Sequence, residues 1–175
     1  MRKKFNIEWI RIVIDYLQVS DKQDKNIEIV FPVFLSVITS GLYYRFNDIV
    51  YAVKIFSEIL LTVDSMLIGF TGILVTLLLT TENRTIDTLK KKKSPKKLYG
   101  KEVNLFDLLH ILFTNSLLNE IILLLVVMLN LFLRGLLYNK ILSLLGLIIE
   151  VFMILNITFS MMRGVNNLYW TFKKK

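Results

Sequence analysis

Four stretches of about 20 largely apolar residues dominate the chain, and a helix of that length crosses a ~30 Å hydrocarbon core. They cover residues 29–44, 59–80, 117–137 and 141–162. In lipid a chain must satisfy its own backbone polar groups, so spanning runs of this kind fold as helices. Hydrophobic residues are 54% of the sequence. It is their collection into runs, more than that share, that separates the chain from a soluble domain. The first stretch is the shortest. It ends in Tyr43, Tyr44 and Arg45, residues that suit a membrane boundary. Pro32 falls in its first turn, where a missing N–H does little harm. The expected fold is all-α: one integral membrane bundle of four transmembrane helices, with amphipathic cytoplasmic helices attached.

The charges sort by side. Before the first span lie Arg2, Lys3, Lys4, Arg11, Lys22 and Lys25. Between spans two and three lie Arg84, Lys90, Lys91, Lys92, Lys93, Lys96, Lys97 and Lys101. After span four come Arg163, Lys173, Lys174 and Lys175. These are 18 of the 22 lysines and arginines, and only Arg45, Lys54, Arg134 and Lys140 fall in the other two connections. Positive-inside asymmetry then places both termini and the Lys-rich segment in the cytoplasm of an inner (plasma) membrane. Glu8, Arg11 and Asp15 interrupt any signal-peptide core, so the N-terminus reads as retained.

Two stretches outside the spans are amphipathic. In residues 5–19, Glu8, Arg11, Asp15 and Gln18 form a narrow polar stripe, with Glu8–Arg11 and Arg11–Asp15 in pairing range. Such a helix would lie in the interface or pack under the bundle. Residues 81–116 read as a basic cytoplasmic loop that leads into a second amphipathic helix. Asn104 caps that helix, Asp107 sits in its first turn, and it can run on into span three. The run Lys90, Lys91, Lys92, Lys93, Lys96 and Lys97 reads as solvated loop, or as a contact for anionic lipid or a cytoplasmic protein partner. Without interleaved aromatics it argues against nucleic acid.

No cysteine is present and there is one histidine, His110. Thiol chemistry and His- or Cys-based metal clusters are thereby excluded. No glycine-rich phosphate loop or nucleophile motif appears, so no catalytic site, metal or cofactor is expected. His110 reads as an interfacial polar residue.

The polar residues inside the spans carry the functional information. Ser65, Gly69, Gly72, Thr76 and Thr80 place small groups on one face of span two, for helix packing or an oligomer interface. Glu150 lies close to the bilayer midplane and Asp64 nearer the outer end of span two, where it could reach the interface. An intramembrane acid costs at least ~2.5–3.5 kcal/mol, so it marks an ion path or a hydrogen-bonded staple. Ser143 and Gly146 share the face of Glu150 and would let another helix approach. Asn119, Glu120, Asn130 and Asn156 add polar sites. Glu120 is expected to be solvated, and Asn130 with Arg134 to cap an outer vestibule.

The run from Ser65 to Leu74, followed by a charged segment, resembles small multi-pass proteins of prokaryotic antiviral systems. The Kiwa membrane subunit and the membrane accessory proteins of RNA-targeting CRISPR loci are of this type. The resemblance covers span two and the general layout. It implies a non-enzymatic role in sensing or executing phage defence with a cytoplasmic partner. One accessory group carries an Arg…His ribonuclease motif; no Arg stands four to six residues before His110, so that activity is not carried over. The leading expectation is a homo-oligomer that permeabilises the inner membrane when activated, lined by Glu150 and the small face of span two. A membrane anchor that recruits an effector through the Lys-rich segment is the alternative. A constitutive channel or transporter is the third, without the inverted repeat common in such folds.

Overall fold

The computed structural model describes residues 8–46, 49–81, 84–136 and 139–173. Helix α1 (Glu8–Val19) precedes α2 (Lys22–Lys25), a π-helical turn (Asn26–Val30) and α3 (Phe31–Phe46). Then come α4 (Ile49–Thr80), α5 (Arg84–Lys91), the strands β1 (Lys93–Leu98) and β2 (Lys101–Asn104), α6 (Leu105–Leu136) and α7 (Lys140–Lys173). Four segments are long and apolar enough to span: Lys22–Arg45, Ile49–Thr80, Leu105–Leu133 and Lys140–Trp170. At most a third of each most-apolar window is buried inside the bundle. Phe34, Met66, Phe70 and Phe132 therefore face outward, as a lipid-solvated exterior requires. The protein is a multi-pass helical membrane bundle.

Every span is longer than its apolar run. Leaving the hydrocarbon does not end a helix, because backbone bonding continues wherever residues tolerate it. The start of α4 holds Lys54 and Glu58, which pair one turn apart at 3.9 Å in the open. Asp64 therefore sits in the middle of its helix, not near the outer end. Asn104 caps α6 as expected, its Oδ1 accepting the Asp107 amide at 2.7 Å. α6 then runs unbroken into the third span. Asn139 caps α7 by accepting the amides of Ile141 and Leu142.

The first span departs most from expectation. Pro32 does not open it, because the helical path starts at Lys22. Asp21 caps that start in a reciprocal box with Asp24. Pro32 has no N–H to offer the carbonyl of Glu28, four residues back. The path widens into the π-helical turn just before it. The freed Glu28 carbonyl instead accepts Asn156 Nδ2 of α7 at 2.6 Å.

α7 is the hub of the bundle, packing against α3, α4 and α6, and α4 packs along α6. α3 barely touches α4. An apolar crevice opens between them, lined by Thr39, Tyr43, Phe56 and Val151 among others. At the end that carries the described termini, a small cap encloses its own core. Tyr16 and Val19 of α1, Ile86 and Leu89 of α5, Val103 of β2 and Leu108, Leu109, Leu112 and Phe113 of α6 are buried together.

The Lys-rich segment is ordered rather than irregular loop. β1 and β2 form an antiparallel hairpin, turned through Tyr99 and Gly100 with positive φ. Pro95 lies where the register slips between Lys93 and Lys97, the irregular position a strand proline needs.

Candidate functional site: a buried polar file

Polar side chains of α4, α6 and α7 meet inside the bundle at successive depths. Nearest the α3–α4 and α6–α7 connections, Glu150 is fully buried. Ser57 donates to its carboxyl, 2.9 Å from either oxygen, and Asn130 Nδ2 donates to Oε1 at 2.7 Å. Gly146 makes room for this: a Cβ there would lie 2.2 Å from Asn130 Nδ2. The expected close approach of a helix at Gly146 is thus that of α6. Asn130 turns inward to Glu150 and is not part of an outer vestibule. The side chain of Arg134 lies outside the described residues.

Next comes an apolar layer of Leu60, Leu123, Val127 and Ile157. Beyond it lie Asp64, Thr71 and Glu120, all fully buried. Thr71 donates to Glu120 Oε1 at 2.8 Å. Among the described residues, Glu120 Oε2 and both carboxyl oxygens of Asp64 have no hydrogen bond. Glu120 is therefore not solvated, because α6 runs on past it and buries it against α4. The hydroxyls of Ser116, Ser143 and Ser160 are buried and unbonded as well.

A third group closes the end beneath the cap. Glu28 accepts from the Tyr16 hydroxyl at 2.5 Å and pairs with Arg163 Nε at 2.9 Å. Arg163 also pairs with Asp24 at 2.7 Å, donates to Ser20 at 3.0 Å and lies over the Tyr16 ring. Burial, reinforced by the Glu28 carboxylate, raises the Tyr16 hydroxyl and keeps it a neutral donor. Asn119 donates to Asn156 Oδ1 at 3.1 Å, and Asn156 in turn holds the Glu28 carbonyl. Lys96 reaches back from the hairpin to Asp21 and Asp24, at 2.5 and 2.6 Å. The Lys96 hydrogen bond holds the Asp21 carboxyl down at about 2.

The small residues of α4 lie elsewhere. Ser65, Gly69 and Thr76 are exposed on the lipid-facing side and Gly72 is half-buried. A Cβ on Gly69 or Gly72 would meet nothing within 4 Å. Among the described residues the stripe lies mostly on the outside of the bundle, and it does not point toward Glu150. The reason is angular: Ser65 follows Asp64 on the helix and is turned about 100° from it. Among the six lysines, Lys96 is tied into the cap, Lys93 pairs with Glu102 at 2.6 Å and Lys90 lies over Phe106. Lys91 and Lys97 are exposed and Lys92 is half-buried. His110 is half-buried on the cap segment of α6.

Ser57, Thr71, Glu28, Tyr16, Asp24 and Arg163 were not expected at the site. One signal was available for two of them: Ser57, Asp64 and Thr71 recur every seven residues, which puts them on one helix face. No family model, curated protein or solved structure matches the chain.

Proposed function

We propose that the protein is a gated cation pathway, most simply for protons, that runs through the interior of its own bundle and lowers the membrane potential when opened. The observation that carries this is Asp64. A buried carboxyl that staples helices is hydrogen-bonded, as Glu150 is; Asp64 is fully buried and makes no hydrogen bond among the described residues. It ties no helix to another through a hydrogen bond among the described residues, and leaving such a group unpaired costs about 1–3 kcal/mol or more. Carboxyls at successive depths are the groups that pass protons or attract cations in a bilayer. The layer of Leu60, Leu123, Val127 and Ile157 fits a dewetted gate, and the resting state is closed. The positive-inside distribution supports a cytoplasmic cap.

In cells the corresponding role is that of a membrane effector in prokaryotic phage defence, as the resemblance of span two implies. Membrane potential in cells with the neighbouring gene products tests it, before and after phage challenge. Challenge should depolarise cells that carry the wild-type protein and spare those with Asp64→Asn at equal protein level. Equal depolarisation with both would remove Asp64 from the mechanism. The outward small face of α4 remains for a homo-oligomer contact that supports the bundle and does not line its path.

A second reading is supported by the ordered display of Lys91 and Lys97, exposed next to the cap. In it the chain anchors a cytoplasmic partner. Neutralising Lys90, Lys91 and Lys97 should then release that partner while flux is unchanged; continued co-purification at physiological salt would count against the hairpin as the dock.

A further inference from the structure

Helix α1 divides into three sectors at about 100° per residue. Tyr16 and Val19, with Ile12 beside them, face the cap core. Asp15 and Gln18 face the hairpin: the Tyr99 hydroxyl donates to Asp15 at 2.7 Å and the Tyr99 amide to Gln18 at 3.1 Å. The remaining sector, roughly 140° wide, carries only apolar side chains. On it Trp9, Ile10, Ile14 and Leu17 are 54%, 37%, 43% and 38% exposed. So many large apolar groups on one short helix would be a costly surface in water.

The level of α1 says what covers them. Only Ser20 and Asp21 separate it from the first span. Tyr16, one turn from its end, bonds Glu28, six residues into that span. The last turns of α1 therefore lie at the depth of the first turns of the span, where headgroups begin. The hairpin occupies the opposite side of α1. The free sector thus lies at the level at which the span exposes Ile27, Val30 and Phe31.

We infer that α1 is an interfacial helix whose Trp9–Ile10–Ile14–Leu17 face is immersed in the headgroup and upper acyl region of the same membrane. Tryptophan suits that depth, and an amphipathic helix lying in the plane suits that role. Through Tyr99, α1 then holds the hairpin on the side away from the lipid. This inference does not depend on conduction.

The chain has no cysteines, so single spin labels report position directly. The full-length protein carrying Ile14→Cys, Leu17→Cys or Arg11→Cys is labelled and reconstituted in phospholipid nanodiscs. Collisions with oxygen, which concentrates in lipid, are compared with those with a water-soluble nickel chelate. Labels at 14 and 17 should favour oxygen and the label at 11 the chelate. Greater chelate access at 14 and 17 would overturn the inference by showing a solvated face. So would shielding of both sites from both reagents, which would mean that protein covers α1.

Discussion

Substituting Gly146 by alanine offers a quantitative check on the polar layer around Glu150. The added Cβ would stand 2.2 Å from Asn130 Nδ2, 2.5 Å from Oδ1 and 2.7 Å from Cγ. Ordinary contact begins near 3.4 Å, so the amide must retreat by about an ångström. That retreat breaks its 2.7 Å bond to Glu150. An interhelical hydrogen bond in a bilayer contributes about 0.6–1.7 kcal/mol. Overpacking adds about 1–3 kcal/mol. The expected loss is about 2–5 kcal/mol. The assay is reversible unfolding in bicelles, with Gly146→Ala, Asn130→Ala and the double variant compared in one cycle. The clash requires both residues, so the double variant should be more stable than the sum of the single effects implies, by about 1 kcal/mol or more. Additive losses would refute the argument, since Gly146 would then not be making room for Asn130.

Replacing Asp64 by valine removes a buried, unbonded carboxyl and should stabilise the bundle by about 1–3 kcal/mol in the same unfolding assay. A loss of that size would mean that Asp64 has a structural partner. Arg163→Gln leaves Glu28 without its buried cation and Asp24 with Lys96 alone and should cost about 3–5 kcal/mol. Hydrogen exchange should show the cap opening first; unchanged cap protection would contradict its role as the tie. The Asp21 carboxyl is held at about 2 against an ordinary 3.8. A depressed pKa contributes stability that is complete above the ordinary value and is lost as pH falls through the folded one. Hairpin amides should therefore lose protection between about pH 4 and 2, and Lys96→Met should abolish that pH dependence. Asp21 is largely exposed, so the effect is one of hairpin docking more than of global stability.

The apolar runs and charge placement made the four spans legible, and the Asn104 cap made the start of α6 legible. Helix ends were not, because hydropathy locates lipid and says nothing of where hydrogen bonding stops. Pro32 reads as initial from sequence for the same reason: the helical path from Lys22 is polar at first. Glu150 was recognised as intramembrane, but its partners come from α4 and α6, 93 and 20 residues away in sequence. The orientation of α4 was ambiguous, since two polar stripes run along it about 100° apart. The small stripe is the longer of the two in sequence, while the Ser57–Asp64–Thr71 stripe faces the interior. The hairpin was hidden because four lysines and a proline carry little strand preference. What orders it is external: Lys96 on Asp21 and Asp24, and Tyr99 on α1.

The most direct test of the interior pathway is proton flux into proteoliposomes that hold a pH-sensitive dye and purified protein with a hydrated gate. Leu123→Ser should open the apolar layer and admit protons, and adding Asp64→Asn to it should abolish the flux while the protein stays folded in the bilayer. Equal flux with and without the Asp64 carboxyl, or no flux through a folded Leu123→Ser protein, would contradict the account.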